Sequence, residues 1–211
     1  MIVYLLLLFL YSYFLYIYFS SIHYENNEDG HFEDDANDNF EDDDDSILTR
    51  QNCIKITRSV FRKRGQPGDF AWMIDRPEYS RSLFVFNDNE EQFYDFFTNK
   101  NPGEPGGGNG EIRPYQGHNP PRAIGVPTGT SKPHRGYMKL TLVSKKAIDD
   151  SMTTLLKLLS TGYYNTVIVS WNHKLKTLGS GIFKPSKLEK DYILKKIEST
   201  VNIANQNCSE I

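Results

Sequence analysis

The sequence predicts an α/β domain built on a mixed sheet, and three observations carry the prediction. Short apolar runs alternate with segments of helical period between residues 82 and 200, glycine-bearing turns follow the ends of those runs, and the helical segments open on Ser or Asp capping residues. A chain of 211 residues holds one ordinary domain plus appendages.

The elements follow in order. From Cys53 to Val60 the pattern CIKITRSV alternates as a strand and enters a basic turn at Arg62, Lys63 and Arg64, closed by Gly65, Pro67 and Gly68; DFAWMID reads as a second short strand. SLFVF at 82–86 is a continuous apolar run that ends on Asn87, Asp88 and Asn89. EEQFYDFF follows at helical spacing, with Asp88 and Glu91 in a capping pattern and Asn101, Pro102 and Gly103 as the stop. PGEPGGGNG at 102–110 is a loop, because glycine loses the most entropy on ordering. RAIGVPTGT supplies a strand ending at Pro127, Thr128 and Gly129, and YMKLTLV alternates like another. Ser144 caps a helix with Asp149 and Asp150 in its first turn, Ile148, Met152, Leu155 and Leu159 on one face and Gly162 past its end. NTVIVSW is a buried strand, LGSGIF a second glycine-bearing loop, and Ser186 with Glu189 a capping box for a last helix that buries Ile193, Ile197 and Val201.

The ends differ from this core. Residues 1–21 read as a transmembrane anchor or signal segment, since residues 2–19 carry no charge and are long enough to cross a bilayer. No basic residue precedes the apolar run and no Ala-x-Ala-like site follows it, which favours an N-terminal single-pass anchor over a cleaved signal and secretion. A spurious extension of a soluble protein is the third reading. Residues 22–49 form an acidic tether, with twelve carboxylates and no Lys or Arg between 24 and 45. EDDDDS lacks the glycine and terminal glutamate of a calcium loop. Residues 50–205 are the α/β domain and 206–211 a tail. All 24 Lys and Arg lie after residue 46, against 15 of the 27 acids, so this part carries +9 and its partner is expected to be anionic: a phosphate ligand, nucleic acid or anionic lipid. Cys53 and Cys208 flank the domain; two thiols are expected, with a terminal disulfide as the alternative. His118, His134 and His173 share no metal-ligand spacing, and neither metal nor cofactor is expected.

The chemistry is expected where strand ends converge. Asn87 to Asn89, Thr128 and Gly129, Trp171 to His173, and Gly179 to Phe183 all fall there. Gly106, Gly107, Gly108, Asn109 and Gly110 make one candidate phosphate cradle, and Gly179, Ser180 and Gly181 the other, because glycine lets main-chain N–H groups approach a pyrophosphate. Neither is a Walker loop, as no GK[ST] follows, and neither has the dinucleotide fingerprint. Trp171 is placed either against a base or in the core.

The order FVFND, GGGNG, RAIGVPTG, helix, TVIVSW, LGSGIF, helix resembles the macrodomain-like proteins, and particularly a compact bacterial and phage branch, over about residues 82–197. The resemblance implies a three-layer α/β/α fold with a mixed central sheet that binds ADP-ribose or a related nucleotide. It sets Asp88 and Asn89 near the distal ribose, Gly106 to Gly108 in a first phosphate loop, and Gly179, Ser180, Gly181, Ile182 and Phe183 in a second. The Asn-Ala-Ala-Asn signature is absent, and Asn87 stands farther from Gly106 than in ordinary macrodomains. For a hydrolase of ADP-ribosyl groups, Asp88 would be the base, Asn89 the water holder and Arg113 a counter-charge. The plainer roles are helix cap for Asp88 and surface residue for Arg113. The competing functions are a nucleic-acid or anionic-surface binder and a structural membrane or virion protein.

Overall fold

The computed structural model describes residues 53–132, 135–181, 183–206 and 208. Among them the strands are β1 (Lys55–Ser59), β2 (Ser82–Asn89), β3 (Ala123–Thr130), β4 (Arg135–Gly136), β5 (Thr166–Asn172) and β6 (Thr177–Leu178). The α-helices are α1 (Phe70–Met73), α2 (Glu90–Asn99), α3 (Leu142–Leu159) and α4 (Lys187–Ala204), with 3-10 helices at Pro77–Tyr79 and Gly108–Gly117.

The fold is mixed α/β on a mixed sheet. The strand order is β1-β5-β2-β3-β4, parallel from β1 to β3, with β4 antiparallel to β3 and β6 antiparallel to β5. β2 lies between β5 and β3, which explains its unbroken apolar sequence: a strand with neighbours on both sides and cover on both faces has no solvent side. Its residues alternate between two cores. Leu83 and Val85 join Ile124, Val126, Val167 and Val169 beneath Ile148, Leu155 and Leu159 of α3 and Ile193, Ile197 and Val201 of α4. Phe84 and Phe86 face the other way, onto Phe70, Met73, Ile74 and Ile112. Phe84 meets Phe70 edge to face at 5.2 Å between centroids.

The parallel pairing puts the carboxyl ends of β1, β5, β2 and β3 along one edge. At the end of β2 the register with β3 shifts between Asp88 and Asn89, so Asn89 pairs with Gly129 and turns to start α2. Asn89 Oδ1 accepts the Gln92 N–H at 2.9 Å, so the cap lies one residue beyond Asp88.

Several sequence expectations are corrected. DFAWMID is a single helical turn, α1, because Phe70, Met73 and Ile74 must all reach one aromatic core. YMKLTLV is not a strand: β4 ends at Gly136 and α3 begins at Leu142, so Leu142 and Val143 are exposed first-turn residues that only mimic alternation. Thr141 is the cap of α3, exchanging hydrogen bonds with Ser144, and Asp149 and Asp150 lie two turns in. The glycine-rich stretch is not all loop, since Gly108 onward winds into a 3-10 helix. The cysteines are not free thiols: Cys53 and Cys208 form a disulfide, with Cα atoms 5.3 Å apart. Beside it Asn205 ties the last helix to the start of the domain, accepting the Ile54 N–H at 2.8 Å and donating to the Ile54 carbonyl at 2.9 Å.

The membrane assignment is also corrected. Among the described residues no helix is long and apolar enough to cross a membrane, since both long helices carry one buried stripe and a charged opposite face. Residues 2–19, on which the single-pass reading rested, and the acidic tether lie outside the described residues.

Candidate functional site

A crevice of about 990 Å³ opens along the carboxyl edge of the sheet. The first glycine turn, Gly106 to Gly110, and the second, Gly179 to Gly181, both line it, together with Asn87, Asn89, Arg113, Trp171 and Phe183. Segments about seventy residues apart in sequence thus meet because β2 and β5 are adjacent parallel strands ending at the same edge.

Each turn is shaped by its own bonds. The Gly106 N–H donates to the Gly110 carbonyl at 2.8 Å and the Gly110 N–H to the Gly107 carbonyl at 3.2 Å, closing a tight ring. The N–H groups of Gly107, Gly108 and Asn109 begin the 3-10 helix, where the helix itself supplies no acceptor. Gly108 holds φ at +57°, a left-handed conformation suited to glycine. In the second turn Gly179 lies so near β5 that a Cβ there would stand 2.4 Å from Ser170 Oγ. Its carbonyl accepts from Asn87 Nδ2 at 2.6 Å. The Ser180 hydroxyl oxygen is buried and finds no hydrogen-bond partner among the described residues.

Asp88 is elsewhere. On β2 it follows Phe84 and Phe86 onto the aromatic face, is 0% exposed and does not line the crevice. Arg113 grips it, with Nη2 2.6 Å from Oδ1 and Nε 3.1 Å from the same oxygen, while the Asn89 N–H donates to Oδ1 at 2.9 Å. Burial pushes the Asp88 carboxyl above its ordinary value, and the Arg113 guanidinium opposes that shift. Arg113 is a buried residue and not a surface one. Its Nη1 donates to the Glu104 carbonyl at 2.7 Å, and a Cβ on Gly106 would stand 2.9 Å from Nη2. The first glycine turn is therefore folded directly over an ion pair.

Other candidates are divided. Thr128 is fully buried, donates to the Asp88 carbonyl at 3.2 Å and is outside the crevice lining. Gly129 is also outside it; a Cβ there would stand 2.2 Å from the Arg135 carbonyl oxygen and 2.8 Å from Phe183 Cδ1, so its bareness admits β4 and Phe183. Trp171 is half-buried on the crevice wall with the Arg58 guanidinium 4.4 Å from its ring centroid, and is not core. Gly181 is exposed, Phe183 is buried beside Gly129, and Ile182 lies outside the described residues.

Beside His173, which the sequence already places at this edge, the crevice has a wall that local patterns do not reveal. Phe61, Arg62 and Arg64 from the basic turn after β1, and Lys174 from the turn after β5, line the same crevice. The pairing of β1 with β5, which no local pattern reveals, brings them there. Compared with protein-family models, with curated proteins and with solved structures, the chain matches none.

Proposed function

We propose that the crevice binds ADP-ribose or a related nucleoside diphosphate, on a three-layer α/β/α macrodomain-like framework. The observation that carries this reading is that both glycine turns line one crevice at the carboxyl ends of parallel strands. Main-chain amides at Gly107, Gly108 and Asn109 on one side, and at Ser180 and Gly181 on the other, give a diphosphate donors from two directions without an intervening side chain. The unpartnered Ser180 hydroxyl is one further donor. Trp171 and Phe183 offer apolar surface for a sugar or base, and about 990 Å³ is at the upper end of ordinary small-ligand sites. Helices α3 and α4 on one sheet face, with α1 and the 3-10 segments on the other, support the layered reading.

The activity is binding. Asp88, the carboxylate that hydrolysis would need from β2, is sealed off and fully engaged by Arg113 and the Asn89 amide, so β2 offers the crevice no general base. Calorimetric titration with ADP-ribose tests the reading. Saturable binding is expected for the wild-type chain and at least tenfold weaker binding for Gly107→Glu, which places a carboxylate among the phosphate donors. Equal weak binding by both proteins would contradict it.

A further inference from the structure

The mouth of the crevice is built differently from its floor. The turn after β1 presents Phe61, 56% exposed, followed by exposed Arg62, Lys63 and Arg64, and exposed Lys174 lines the same crevice from the turn after the neighbouring strand β5. Arg64 pairs with Glu111. Arg62, Lys63 and Lys174 form no ion pair among the described residues. The turn is held rigidly for an exposed segment. Asp69 Oδ2 accepts the Gly65 N–H at 2.7 Å, and Gly68, at φ +106°, lies so close to Val60 that a Cβ would stand 2.0 Å from its carbonyl oxygen.

A diphosphate already satisfied by two glycine turns has no further anion for these cations. An exposed ring and unpaired cations lining one crevice are instead the groups that stack a base and neutralise the backbone of a single strand. The +9 charge of the chain after residue 46 suits a polyanion.

We propose that the crevice takes the 5′-phosphorylated end of a single-stranded nucleic acid. Its terminal phosphate rests on the glycine turns, the following phosphodiesters lie on Arg62 and Lys174, and a base stacks on Phe61. This inference rests on the nucleotide reading of the same crevice and specifies the kind of molecule that carries the nucleotide.

The test is fluorescence anisotropy of the full chain with 3′-labelled, 5′-phosphorylated deca-adenylate RNA, between about 50 and about 200 mM salt, beside ADP-ribose calorimetry. Phe61→Ala is expected to weaken RNA binding about tenfold, by loss of one stacked base. Arg62→Glu with Lys174→Glu is expected to weaken RNA binding and to reduce the log–log salt slope by about 1.4, the value for two phosphate contacts on a single strand. Wild-type RNA affinity in both variants, or RNA that saturating ADP-ribose does not displace although ADP-ribose itself binds, overturns the proposal. ADP-ribose binding without RNA binding sinks this inference alone. RNA binding that is sensitive to Phe61→Ala and Gly107→Glu, with no ADP-ribose binding, removes the small-ligand reading and keeps this one. Binding of neither ligand removes both.

Discussion

Asn87 Nδ2 donates to the Gly179 carbonyl at 2.6 Å, joining the end of β2 to the second glycine turn across 92 residues of chain. The Gly179 N–H in turn donates to the Ser170 carbonyl at 2.9 Å, so two strands hold the turn at once. The amides that follow are thereby carried at a set height above the strand ends, which is the preorganisation an anion site requires.

Removing that bond should loosen the site more than the fold. Asn87→Ala is expected to weaken ADP-ribose about tenfold, with a stability loss of roughly 1 kcal/mol, the net worth of one hydrogen bond. Faster amide exchange at Ser180 and Gly181, measured beside calorimetry, would report the freed turn. Unchanged affinity would mean that Gly179 is positioned by Ser170 alone.

The Asp88–Arg113 pair should behave as structure. Either Asp88→Asn or Arg113→Met leaves a buried partner uncompensated and is expected to cost about 3–5 kcal/mol in urea unfolding. Arg113→Met should also release the Glu104 carbonyl and with it the first glycine turn. A loss below about 1 kcal/mol for Asp88→Asn would show that the carboxylate is not held as described.

What was legible in the chain follows from what is local. SLFVF and NTVIVSW were readable because strands covered on both faces are apolar throughout, and Ser186 announced its helix through a cap three residues from Glu189. That Glu189 carboxylate nonetheless turns away, accepting the Ser144 hydroxyl at 2.7 Å from the cap of α3. Leu142 and Val143 misled because exposed apolar residues in a first turn look like the open face of a strand. The burial of Arg113 was illegible, since its partner stands 25 residues earlier and composition carries no sign of a pairing through the interior. The place of the basic turn on the crevice wall is illegible for the same reason: the adjacency of β1 and β5 is a fact of topology.

The disulfide joins the two ends of the described domain, 155 residues apart, and closing so long a loop restrains the unfolded chain strongly. Cys53→Ser, or reduction, is expected to lower stability by up to about 5 kcal/mol on the chain-entropy view. The Asn205 clasp on Ile54 should preserve the native circular dichroism at low temperature. Identical unfolding midpoints with and without reductant would contradict a contribution from this bond.

Glu189 gives a pH signature. Its carboxyl is 0% exposed and one oxygen is without a hydrogen-bond partner among the described residues. Burial pushes it above the ordinary 4.5, against the Ser144 hydrogen bond and Lys145. A raised carboxyl binds its proton more tightly in the folded state. Its contribution is therefore favourable at low pH and is lost as the pH rises from the ordinary value through the raised one. Glu189→Gln keeps an acceptor for Ser144 and removes the titration. Its melting temperature relative to wild type is expected to climb across that interval and then level off. A difference that does not vary with pH would show that Glu189 is ionised at no cost.

The most direct measurement is a crystal structure of the chain soaked with ADP-ribose. Diphosphate density between Gly107–Asn109 and Ser180–Gly181, with the sugar or base against Trp171 or Phe183, is the expected result. A ligand lodged away from both turns, or an empty crevice at saturating ligand, would contradict the assignment of this edge of the sheet as a nucleotide site.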